Sequence, residues 1–358
     1  MTSQPSASAG EDLLARLAAG PDVYVQKFDL VRDVALLIQL DANAYRTASF
    51  LDDRVLRPTT KGAWVPLSRV IEASRCIQSA QPIQFIFHTG HVGSTLLSRL
   101  LDETNAVLSL REPSTLRLLA EALDVLDKPE SLLNHPSFDV LLDAFIRLWG
   151  RGYGGTRSVV VKATSSAGRL APALLARRPE MRAVYLNLRA EPYLTTLLAG
   201  QNSPLDLKGH GPERMRRLQS FGATPPSALH QMSLGEMAAM SWLVETWSQA
   251  NAMKAGGVRV IGVDFDKMLA NIAGEVGRIV RHLEIPHDAS FASAILQSPT
   301  LTRYAKAPEH AYTPQLRAQI LTDARTRHRD EIGKGMSWLQ RVAAANPTAA
   351  DVINRAEA

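Results

Sequence analysis

Residues 83–87 are apolar except for Gln84, and residues 88–95 are polar apart from Val92 and carry two glycines. Leu96, Leu97, Leu100 and Leu101 then recur at helical spacing. This order predicts a buried strand, a tight turn and an amphipathic helix. Similar apolar runs at residues 106–110, 158–162, 181–188 and 258–263 predict four more strands. The β-branched run Val159, Val160, Val161 reads as buried on both faces. Helical periodicity falls between them, at residues 114–126, 138–148, 167–177 and 234–253, and again up to residue 283. Alternating strands and helices predict an α/β fold, with a mostly parallel central sheet of about five strands covered on both faces.

The pattern before residue 83 is different. Residues 1–10 are Ser, Ala and Gly with little to bury, which predicts disorder, and residues 12–19 predict a short helix stopped by Gly20-Pro21. Val31, Val34, Leu37 and Ile38 suit a buried helix face within residues 24–40, and residues 54–67 suggest a hairpin around Pro58-Thr59-Thr60-Lys61-Gly62. Residues 11–80 are therefore expected to form a small N-terminal module, with no chemistry of their own, packed as a cap on a main domain of residues 81–358. Residues 200–228 are polar and rich in Gly and Pro, with at most one helix around Arg214; so long an excursion suggests a functional lid or binding segment.

Composition narrows the function. The chain of 358 residues is 46% hydrophobic and 21% charged, with a formal charge of +5, as in an ordinary globular protein. Its densest basic cluster is only Arg214, Arg216 and Arg217, so a nucleic-acid partner is not expected, whereas a small anionic ligand is compatible. The single Cys76 excludes an internal disulfide and a cysteine-rich metal site. No apolar run approaches the ~20 residues that span a bilayer, and the N-terminus lacks the basic start and apolar core of a secretory signal. A cytoplasmic protein without a membrane partner is expected; a homo-oligomer is left open.

The chemistry gathers at the first turn. A helix reached through Gly90 and Gly93 presents unpaired N–H groups and the positive end of its dipole, a ready anion site. An ordinary strand-to-helix turn shows the same short pattern. The triphosphate signature Gly-x-x-x-x-Gly-Lys-Ser/Thr fails, because Ser94 stands where the lysine belongs and His88 where the first glycine belongs. The dinucleotide fingerprint Gly-x-Gly-x-x-Gly is absent.

The stretch Gly93-Ser94-Thr95-Leu96-Leu97 resembles the phosphate loop of the sulfotransferases that use 3′-phosphoadenosine 5′-phosphosulfate, particularly the bacterial and Golgi-type branches. Arg111-Glu112-Pro113, Val160-Val161-Lys162-Ala163-Thr164, the segment 179–192, and the strand with Phe265-Asp266 followed by His282-Leu283-Glu284-Ile285-Pro286 resemble further family elements, in the same order. His91 stands where the family usually carries Arg or Lys, and Pro192 lies one residue late.

The resemblance implies a P-loop three-layer fold and a sulfuryl transfer from that nucleotide, without metal, to a small-molecule or glycan hydroxyl or amine. Gly90, His91, Val92, Gly93, Ser94, Thr95 and Leu96 would hold the 5′-phosphate, and Lys162 would stabilise the departing bridging oxygen. Arg189, with Thr195 or Thr196, would take the 3′-phosphate, and Lys334 in Gly333-Lys334-Gly335 would reach it too. Glu112 is the implied general base, against the plainer reading of a glutamate at a helix start. His91 would donate to sulfate or phosphate in place of the cation. His88 reads as a strand-end histidine, Lys306 as a lesser candidate, and Trp242 and Trp247 as core. Two alternatives stay open: a magnesium-dependent small-molecule kinase, and a degenerate nucleotide-binding or regulatory module.

Overall fold

The computed structural model describes residues 7–78 and 80–358. Five parallel strands form the central sheet: β4 (Ile83–His88), β5 (Val107–Arg111), β6 (Ser158–Lys162), β7 (Ala183–Asn187) and β8 (Val260–Asp264), ordered β5-β6-β4-β7-β8. Before these, β1 (Val23–Asp29), β2 (Val34–Gln39) and β3 (Gly62–Pro66) make a separate antiparallel sheet. After them, β9 (Arg303–Tyr304) and β10 (Ala307–Ala311) form a short hairpin. The α/β class and the parallel sheet are as the periodicity predicts.

Period-two alternation builds two cores, one on each face of the sheet. Phe85, Phe87, Val159, Val161, Ala183 and Tyr185 enter one core. Ile86, Val160, Val184 and Leu186 enter the other, with Trp242 and the leucines of the helix Ser94–Asp102. Strands that bury both sets of side chains can show no polar face, which is why β6 reads as an unbroken apolar run. The first core is continuous with the antiparallel sheet, through Val25, Phe28 and Leu37. Phe28 meets Phe145 with ring centroids 5.3 Å apart, and Gln26 donates to Ser114 Oγ.

Several expectations fail locally. Residues 24–40 form β1 and β2 rather than a helix. Asp29 Oδ1 accepts from the N–H groups of Val31 and Arg32, and Asp33 takes a left-handed φ of 51°, so the chain reverses. Val31, placed on the buried helix face, sits at that turn and is exposed. Residues 54–67 make no hairpin of their own. Their first part is a 3₁₀ turn, Asp53–Val55, and β3 pairs instead with distant β2, Leu36 opposite Trp64. The 200–228 segment contains two helices, Ser203–Gly209 and Gly211–Ser220, each with proline in its first turn. The first helix spans Ala7–Leu17, earlier than residues 12–19. The expectation of disorder over residues 1–10 thus fails for 7–10 and, for 1–6, lies outside the described residues.

From β4 the chain runs out to the edge strand β5 and back to β6 on one side, then crosses to β7 and β8 on the other. The turn after β4 therefore lies at the carboxyl edge, where the sheet order switches and ligands of open α/β sheets sit.

Candidate functional site

Residues 88–96 fold into a concave turn of backbone amides. Gly90, His91 and Gly93 all take positive φ, at 101°, 56° and 69°. Successive amides in such a turn point to one side and form an anion nest. The N–H groups of residues 91–96 find no acceptor among the described residues. The buried hydroxyls of Thr89 and Thr95 have no partner either. Unsatisfied buried polar groups are uncommon enough to need an explanation, and an anion seated in the turn supplies one for the amides and for Thr95.

The turn is braced from below and behind. His88 accepts from Gly90 N–H at Nδ1, 3.0 Å, and its Nε2 lies 2.8 Å from the Ala163 carbonyl, which fixes the neutral tautomer with the proton on Nε2. Burial, then the nearby Lys162 charge, hold its imidazole well below the ordinary range. His88 is thus a strand-end histidine that ties the turn to β6. Phe265 covers Gly93 so closely that a Cβ there would fall inside the ring, and Tyr193 and Ser165 flank Gly90. Gly93 is required twice, by its left-handed φ and by this contact.

Lys162 ends β6 fully buried, in register with Arg111 on β5 and Ile86 on β4. Its ammonium pairs with Glu112, and Glu112 N–H donates to the Lys162 carbonyl at 2.7 Å. Glu112 takes a left-handed φ of 54°. A non-glycine residue pays about 1–3 kcal/mol for such a backbone, and the ion pair and backbone bond hold it there. Arg54 from the N-terminal region approaches the other Glu112 oxygen at 3.8 Å while chelating Asp52.

The charges are unequal. Burial would raise the Glu112 carboxyl, but Lys162, Lys306 and Arg54 together hold it below its usual range, so it is ionised. Burial pushes Lys162 down to about 8, with Lys306 adding to this and Glu112 opposing it. The carboxylate is held low by the cations gathered around it, whereas the ammonium is lowered chiefly by its own burial.

His91 keeps an exposed surface, yet burial of its ring within the turn is the first cause of a lowered imidazole, with Asp206 and Glu112 opposing it. The Lys306 and Arg214 charges act in the same direction as burial, and together these push the imidazole down to about 4. At pH 7 His91 thus offers the turn a donor rather than a charge.

Arg189 follows β7 at the same carboxyl edge, exposed and in no ion pair among the described residues. Its expected helpers do not serve. Thr195 is fully buried and donates its hydroxyl proton to the Glu191 carbonyl; Thr196 donates to Pro192. A hydroxyl committed to the carbonyl four residues back has no proton left for a phosphate. The N-terminus of the same helix is already capped, Ala190 N–H donating to Glu357 Oε1 at 2.7 Å. Lys334 is displaced as well: it is exposed on the helix Arg329–Ala345, paired with Glu331 at 2.8 Å, and no bond of its side chain reaches the turn.

The structure thus brings together Gly90 to Leu96, Lys162 and Glu112. It adds Arg54, Phe50, Tyr193, Phe265 and Lys306, of which Phe265, in the Phe265-Asp266 element, and Lys306 carried a signal in the sequence. Trp242 and Trp247 are buried core, Trp242 Nε1 donating to the Leu188 carbonyl. Among the described residues no three His, Cys, Asp or Glu side chains gather as a metal site, and no helix is long and apolar enough to cross a membrane. A cavity of about 600 Å³ lined by Phe28, Trp64, Leu118 and Leu132 contains none of the expected site residues.

The chain matches no protein-family model, and no curated protein matches it in sequence. Among solved structures it is similar to a sulfotransferase domain from the curacin biosynthetic pathway, at 13% identity and TM-score 0.41, over 74% of this chain and 97% of that one. A sulfotransferase from Mycobacterium avium aligns at 13% identity and TM-score 0.38, over 92% and 98%. A mouse sulfotransferase complexed with PAP aligns at 9% identity and TM-score 0.38, over 79% and 92%. Scores this low leave the functional question to the chain's own side chains.

Proposed function

We propose that the chain is a sulfotransferase-like enzyme that moves a sulfuryl group from 3′-phosphoadenosine 5′-phosphosulfate to a hydroxyl or amine acceptor. The observation that carries this reading is the run of unbonded amides at residues 91–96 beside the buried Lys162–Glu112 pair. The amides and Thr95 would hold the 5′-phosphate. Arg189 would meet the 3′-phosphate by itself, as a planar fork suited to bidentate bonding.

In the transfer, the acceptor oxygen or nitrogen bonds to sulfur as the bond from sulfur to the bridging oxygen breaks. The electron pair of that bond goes to the 5′-phosphate. Lys162 neutralises the growing negative charge on the phosphate, the kind of preorganised stabilisation that counts most in a site shielded from water. The acceptor proton passes to the ionised Glu112 carboxylate or to solvent. Residues 200–228 would cover the acceptor: within them Asp206 and Arg214 pair at 2.9 Å, and both charges act on His91.

Thermal unfolding tests this directly. Adenosine 3′,5′-bisphosphate should raise the melting temperature and ATP with magnesium should not; no response to the bisphosphate sinks the reading. A nucleotide-binding module without transfer is the second reading, favoured by His91 standing in the turn where the resemblance calls for Arg or Lys. Labelled sulfate that never leaves the donor across a panel of alcohols, phenols, sugars and amines would decide for it.

A further inference from the structure

With His91 neutral, the turn has many donors and no charge of its own. Lys162 is engaged by Glu112, and Arg54 by Asp52 and Glu112. One neighbouring ammonium takes part in none of these pairs. Lys306 lies between β9 and β10, half-buried, with its Nζ 5.9 Å from the centroid of the Phe50 ring. Its charge bears on His88, His91, Glu112 and Lys162, that is, on both sides of the turn.

Its position is tied to the turn. Arg99, on the helix that the turn opens, donates from Nε to the carbonyl of Ala305 at 2.8 Å. The same guanidinium reaches Ser49 Oγ at 2.9 Å, next to Phe50. One side chain thus fixes both the backbone before Lys306 and the segment that carries its aromatic neighbour. Glu112, the carboxylate on which its charge acts, is already shared by Lys162 and Arg54, and a half-buried ammonium is costly unless something anionic completes it.

We propose that Lys306 is the missing cation of the turn: the β9–β10 hairpin delivers an ammonium to the sulfate or 5′-phosphate oxygens of an anion seated on residues 90–96. The inference rests on the reading of this turn as a 5′-phosphate site. It assigns a binding role to a segment remote in sequence, and it makes position 91 exchangeable with position 306 as a source of charge.

Calorimetry with adenosine 3′,5′-bisphosphate and adenosine 3′-monophosphate, on the full chain, tests it. Lys306→Ala should weaken the bisphosphate by about tenfold or more, the scale of one lost charge-assisted bond, and leave the 3′-monophosphate nearly unchanged. Lys306→Arg should retain binding, and adding His91→Lys to Lys306→Ala should recover it. In NMR titration without ligand, Lys306→Ala should move the His91 midpoint upward. Unchanged bisphosphate affinity, equal loss of both nucleotides, or an unmoved His91 midpoint would each overturn the assignment. Failure of the unaltered chain to bind the bisphosphate would instead overturn the proposed function. Lys306 would then be judged on the His91 midpoint and on inorganic pyrophosphate, whose affinity Lys306→Ala must lower for the assignment to stand.

Discussion

Lys162 and Glu112, fifty positions apart in sequence, are joined twice: by a buried ion pair between their side chains and by a 2.7 Å bond from Glu112 N–H to the Lys162 carbonyl. The backbone bond extends the β5–β6 register by one residue past Arg111 opposite Lys162. The side-chain pair therefore sits on the sheet itself rather than on a loose loop.

Removing one partner leaves a buried charge, a loss of about 3–5 kcal/mol in comparable pairs. Lys162→Met should lower stability in urea unfolding towards that range, moderated by Arg54 and Lys306, which remain near Glu112. The double variant Lys162→Met/Glu112→Gln should recover much of the loss while transfer stays abolished. A double variant no more stable than the single one would show that the pair is not coupled.

The depressed Lys162 ammonium sets a pH dependence with opposite signs for binding and folding. Anion binding needs the charged form, so bisphosphate affinity should fall as pH rises through about 8. Unfolded, the lysine keeps its proton up to its ordinary 10.5, so between about 8 and 10.5 the unfolded chain binds more protons and this group makes folding more favourable with rising pH. Glu112→Gln removes the neighbour that opposes the depression, and should shift the binding midpoint below 8. Calorimetry across pH 6–10 would check the direction; affinity that is flat through this range would contradict it.

Gly93→Ala meets two obstacles. The left-handed backbone costs about 1–2 kcal/mol for an alanine, and intrusion into the Phe265 ring adds about 1–3 kcal/mol of overpacking. The variant should melt lower and lose bisphosphate binding. Adding Phe265→Leu should return part of the stability, as only the steric component is relieved, and thermal melts of the three proteins separate the two causes.

Arg54 poses a different test, because it is exposed and already chelates Asp52. Arg54→Ala should change stability by no more than about 1 kcal/mol, as for surface pairs. Acceptor turnover should fall more than bisphosphate affinity, since the guanidinium faces Glu112 rather than the amide turn. Equal loss of both would place Arg54 on the nucleotide.

The strands, the long helices and the glycine turn after β4 were legible because their determinants are local. Buried β-branched runs, helical leucine spacing and glycines at a tight turn reveal themselves within a few residues. The misreading of residues 24–40 has the same origin: Val31, Val34, Leu37 and Ile38 fit a helical face by spacing, and the reversal depends on the Asp29 side chain and the left-handed Asp33. For residues 54–67 the partner strand is β2, too remote for local pattern to reveal. Likewise Thr195 and Thr196 occupied plausible positions, but only the helix geometry shows their hydroxyls turned back on the carbonyls of Glu191 and Pro192.

By itself the sequence determined the parallel α/β frame, the turn at residues 90–95 and the placing of Lys162 and Glu112 at strand ends, because hydrophobic period and glycine chemistry act over short range. Only the tertiary structure decided which charges share the site. Arg54 comes from a segment expected to hold no chemistry and Lys306 from a hairpin near the other end, while Lys334 is carried away on an exposed helix face. Electrostatic interaction depends on distance through space and on burial, and folding sets both.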